Sequence, residues 1–120
     1  MRVLDHLLIA HRRECEERRR YVADLEHLAE RLQGDAQRLS AEIQLAEADG
    51  ARATAVRQLV ERHAKLERSI SEIGAQLAAA CQALAAAEQQ LQRHEAVSIT
   101  GPSPAPGRTG RRRRRQSSER

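Results

Sequence analysis

Apolar residues recur along this chain at alternating steps of four and three. In the first half the series runs Leu4, Leu8, His11, Cys15, Arg18, Val22, Leu25, Ala29, Leu32, Ala36, Leu39, Ile43 and Ala46, with only His11 and Arg18 strongly polar. In the second half it runs Val56, Leu59, His63, Leu66, Ile70, Ile73, Leu77, Ala80, Leu84, Ala87, Leu91 and His94, broken only by the two histidines. A repeat of seven is the mark of a coiled-coil seam, and a stripe this narrow asks for about one partner helix.

The two series are out of phase. Extending the first past Ala46 reaches 50, 53, 57 and 60, whereas the second passes through Val56 and Leu59. One residue is lost near Asp49 and Gly50, a pair that signals a turn after a helix end. Gly34 and Gly74 lie inside unbroken phases and read as mid-helix glycines, each costing roughly 1 kcal/mol against alanine. The spacing therefore predicts an antiparallel hairpin: a first helix over about 3–48, a turn over about 49–53, and a second helix over about 54–97.

Antiparallel pairing closes the seam when paired residue numbers sum to 102. The layers are then Ile43–Leu59, Ala36–Leu66, Ala29–Ile73, Val22–Ala80 and Cys15–Ala87, interleaved with Leu39–His63, Leu32–Ile70, Leu25–Leu77, Arg18–Leu84 and His11–Leu91. Several set a small residue against a large one, which suits close packing. A slip of one heptad also keeps the seam apolar.

Composition supports a helical rod and argues against an enzyme. The chain has no Trp, no Phe and one aromatic residue, Tyr21, so nothing fills a thick core around a substrate pocket. No apolar run approaches the ~20 residues of a membrane span, and the stretch from Leu4 to Ala10 makes a poor signal sequence because Asp5 and His6 interrupt it. Both readings lead to an expectation of a cytoplasmic protein. Cys15 and Cys81 form no CxxC pair and no disulfide framework.

Charge is uneven. Residues 101–120 hold seven Arg and one Glu, so this segment carries +6 and leaves −2 on residues 1–100 of a chain whose net charge is +4. The segment opens with Gly101-Pro102, where a helix should stop, and contains the run Arg111, Arg112, Arg113, Arg114 and Arg115. With almost no apolar content it is expected to be disordered. The run could attract nucleic acid or an acidic membrane surface. It lacks interleaved aromatics, so a generic electrostatic tail is favoured over a specific reader.

No catalytic constellation is found, no phosphate-binding loop, and no Cys/His zinc spacing; no cofactor and no metal is expected. The nearest approach to a ligand set is His11 and Cys15, one turn apart on the seam, with His94 approaching the same end of the hairpin. Polar seam residues at a fraying end, with Cys15 as a small filler, is the favoured reading.

Glu16 to Glu26 (EERRRYVADLE) and Leu39 to Ile43 (LSAEI) resemble the first helix of FliJ-type flagellar export proteins, particularly the shorter alphaproteobacterial forms. Arg62 to Ile70 (RHAKLERSI) and Gln76 to Leu84 (QLAAACQAL) are similar to that family's second helix. The resemblance covers roughly residues 1–96 and implies a non-enzymatic hairpin stalk of the type III export apparatus. Such a stalk enters the ring of the export ATPase, touches the cytoplasmic domain of the export gate, handles export chaperones, and sits peripheral to the inner membrane. By the same analogy the early second helix, with Arg57, Gln58, Glu61, Arg62 and Lys65, faces the gate. The competing expectation is a generic coiled-coil scaffold whose arginine tail tethers it to nucleic acid or membrane. Oligomeric state stays open.

Overall fold

The computed structural model describes residues 3–100, with side chains to residue 97. The fold is all-α: helix α1 spans Val3–Ala48 and helix α2 spans Ala53–Thr100, joined by a short turn into an antiparallel coiled-coil hairpin. Ala, Leu, Glu, Gln and Arg dominate both helices, and no proline falls within either. Helix α2 runs three residues past the expected end near 97, because nothing before Pro102 forbids helical backbone. The Pro/Gly/Arg-rich segment from Gly101 onward lies outside the described residues.

The turn is built by backbone. Gly50 adopts φ 72°, the left-handed conformation that ends helices. The Ala51 N–H donates to the Ala46 carbonyl at 2.9 Å, and the Gly50 N–H donates to the Glu47 carbonyl at 3.2 Å. This pair of bonds is the Schellman motif, and it satisfies carbonyls that the helix end would otherwise strand. Helix α2 then starts where the Val56 N–H reaches the Arg52 carbonyl at 3.1 Å.

Burial follows the seam. The buried hydrophobic residues are Leu8, Cys15, Val22, Leu25, Ala36, Leu39, Ala80 and Ala87, all of them seam positions. Four of these are Ala or Cys, and the physical reason is the width of the interface. Two helices cover most small side chains, and also Leu8, Leu25 and Leu39, whereas Ile73 and Leu77 reach past their neighbours and stay half-exposed.

Contacts divide the chain into two compact units. In the unit Glu17–Leu84, Val22, Leu25 and Ala80 form the buried cluster, with Ile73, Leu77 and Leu84 packed against it. These are the layers expected for a sum of 102. A slip of one heptad is excluded by the turn, since the connection between Ala48 and Ala53 is too short to shift its centre by half a heptad. In the other unit, Leu8, Cys15 and Ala87 are buried.

Candidate functional site

Each residue expected in the seam is buried or half-buried. Leu8, Cys15, Val22, Leu25 and Leu39 are buried; Leu32, Ile43, Leu59, Leu66, Ile70, Ile73, Leu77, Leu84 and Leu91 are half-buried. Arg18 and His63 are half-buried too, and His63 lies 3.7 Å from the Glu67 carboxylate one turn on. The seam accounts for the hairpin.

Arg57, Gln58, Glu61, Arg62 and Lys65 are all exposed on early α2. The structure separates them. Arg62 and Lys65 line an open groove of about 510 Å³ together with Asp35, Arg38, Leu39 and Glu42 of α1 and Leu66 and Ser69 of α2. Arg57, Gln58 and Glu61 do not line it. Asp35 and Arg38 form an ion pair across one helical turn. Arg62, Lys65 and Glu42 make no ion pair among the described residues.

The groove has α1 residues that a reading of α2 alone passes over. Their signal in the sequence is positional. Asp35 and Glu42 directly precede the seam positions Ala36 and Ile43, and Arg38 directly precedes Leu39. Arg62, Lys65 and Ser69 directly precede His63, Leu66 and Ile70. In an antiparallel pair these positions gather on one flank. A second groove in the same unit, of about 350 Å³, is lined by Glu26, His27, Ala29, Glu30, Gln33 and Leu77.

At the other unit, His11 and His94 stack with ring centroids 4.4 Å apart and planes inclined by 22°. Lone pairs of an imidazole lie in the ring plane, so stacked rings point theirs side by side and do not converge on an ion. Cys15 is fully buried beneath. Among the described residues no group of three or more His, Cys, Asp or Glu is placed to hold a metal. The Arg12 guanidinium, exposed, reaches the half-buried Glu95 across the helices at 3.4 Å. The basic run Arg111 to Arg115 lies outside the described residues.

By length and composition alone, α2 qualifies as long and apolar enough to cross a membrane, with a best mean hydropathy of 1.2 over eighteen residues, of which 6% are buried. The value comes from the alanine-rich stretch from Ile70 to Ala87, where many small apolar side chains raise the average without an uninterrupted apolar run. Glu72, Gln76 and Gln82 lie within it.

Comparison of the chain with protein-family models, with curated proteins and with solved structures yields no match.

Proposed function

We propose that this chain is a non-enzymatic coiled-coil adaptor that acts by binding other proteins. The observation that carries the reading is the confinement of buried hydrophobic residues to a seam two helices wide. Such a seam has no interior in which a substrate could be enclosed, whereas both flanks present charged and apolar side chains to a partner.

The finer form of the proposal is a stalk of the flagellar type III export apparatus. It would engage the export ATPase ring, the cytoplasmic domain of the export gate and export chaperones, in the cytoplasm at the inner membrane. Support comes from the sequence resemblance over the helical body and from the hairpin fold that the resemblance implies. Among the residues expected to face the gate, Arg62 and Lys65 beside the groove are the strongest candidates, because their charges are not already paired within the hairpin. The experiment is a pull-down of the export ATPase and of the gate domain, scored also by ATP hydrolysis. Binding with stimulated hydrolysis, weakened by Arg62→Glu with Lys65→Glu, is expected; absence of binding to either partner removes the stalk reading.

A further inference from the structure

We propose that two copies of this chain associate antiparallel, flank to flank, about a two-fold axis at the level of Leu28. The observation is a charge pattern on α1. Glu17, Asp24, Arg31 and Arg38 recur every seven residues, one position before the seam residues Arg18, Leu25, Leu32 and Leu39. All four are exposed. The lining of the larger groove shows where this stripe points, since Arg38 sits there with Arg62 and Lys65 on the joint flank of both helices.

Two acids followed by two bases at even spacing is a pattern that is complementary to its own reverse. In an antiparallel pair, residue numbers across the contact sum to a constant along each stripe, with adjacent stripes differing by about one. A two-fold between Asp24 and Arg31 brings Asp24 opposite Arg31 of the second copy, and Glu17 opposite Arg38. Every charge on the stripe then meets its opposite, twice over by symmetry. Glu17, Asp24 and Arg31 make no ion pair within the chain among the described residues, while Arg38, which already pairs with Asp35, would share its guanidinium with Glu17 of the second copy.

The neighbouring positions agree. On the adjacent stripe of α1, Leu28 meets its own copy, and Tyr21, which is 53% exposed, meets Asp35. Because Leu77 and Ala80 pack with Val22 and Leu25, in layers whose numbers sum to 102, Gly74 stands at about the level of Leu28. The same two-fold sets Gln76 against Glu72, Ser69 against Ala79 and Lys65 against Ala83. No like charges oppose, and the alanines let the backbones approach. Outward on α1, Glu14 would face Glu42, and this like-charge pair marks the end of the contact. A parallel dimer offers no equivalent: it sets the stripe against its own like charges, or Arg38 near Lys65.

Sedimentation of the full chain, from micromolar to millimolar concentration, tests this. A monomer–dimer equilibrium weakened by salt is expected. Glu17→Arg with Asp24→Arg should weaken it at least about tenfold, and so should Arg31→Glu with Arg38→Glu, because each reverses every pair. An equimolar mixture of the two variants should recover a dimer, as should the fourfold reversal in one chain. Circular dichroism confirms that each variant remains helical. A wild type that stays monomeric overturns the proposal and leaves the flank to a different protein. Dimerisation indifferent to the reversals, or helical variants that fail to recover on mixing, also overturns it.

Discussion

His11 of α1 lies against His94 of α2, ring on ring, with centroids 4.4 Å apart. Both occupy seam positions that elsewhere hold leucine or alanine, and both are half-buried. The stack contributes flat contact area but leaves polar ring nitrogens at an apolar seam. Replacing both with leucine should raise stability by about 1 kcal/mol, seen as a higher thermal midpoint. A lower midpoint would mean that the stack itself is a specific clasp.

The glycines separate by sign. Gly50 holds a left-handed φ of 72° at the turn, which an L side chain adopts only with strain. Gly50→Ala should cost about 1 kcal/mol in denaturant unfolding. Gly74 lies within α2, exposed, and a Cβ there meets nothing within 4 Å. Gly74→Ala should gain about 1 kcal/mol. Equal effects of the two would show that the turn geometry is not what Gly50 supplies.

The two thiols should react at different rates. Cys15 has no exposed surface, whereas Cys81 is exposed, and both are free. A disulfide-exchange reagent added to the native chain should label Cys81 promptly. Cys15 should follow only as the hairpin opens, at a rate that rises with denaturant. Equal rates would place the opening of that layer far below the global unfolding free energy.

Helix α2 starts poorly capped. Arg52 occupies the cap position, its carbonyl accepting from Val56, and the first turn carries no acidic residue. Arg52→Asp would add a side-chain acceptor for the stranded N–H groups and a favourable charge at the positive end of the helix. A gain of about 1 kcal/mol in unfolding free energy is expected. No gain would mean that solvent already satisfies those donors.

Much of this protein can be read from one dimension. The period of seven, its loss of one residue at Asp49 and Gly50, and the absence of proline up to Pro102 specify two helices and the place where they turn. They do so because helix geometry and glycine's φ preference are local properties. The register also follows from local facts, since so short a turn permits one alignment. What only the tertiary structure decided is which seam residues are truly covered. Leu25, Leu39, Ala36, Ala80 and Ala87 are buried while Ala29, Ile73 and Leu77 are not, because cover depends on what faces each position across the two-helix contact and not on hydrophobicity alone. It also decided how the surface charges divide. Arg62 and Lys65 share a groove with Asp35, Arg38 and Glu42, residues some twenty or more positions away, and Arg57, Gln58 and Glu61 stay apart from it. That grouping requires two helices side by side, and no pattern along one of them contains it.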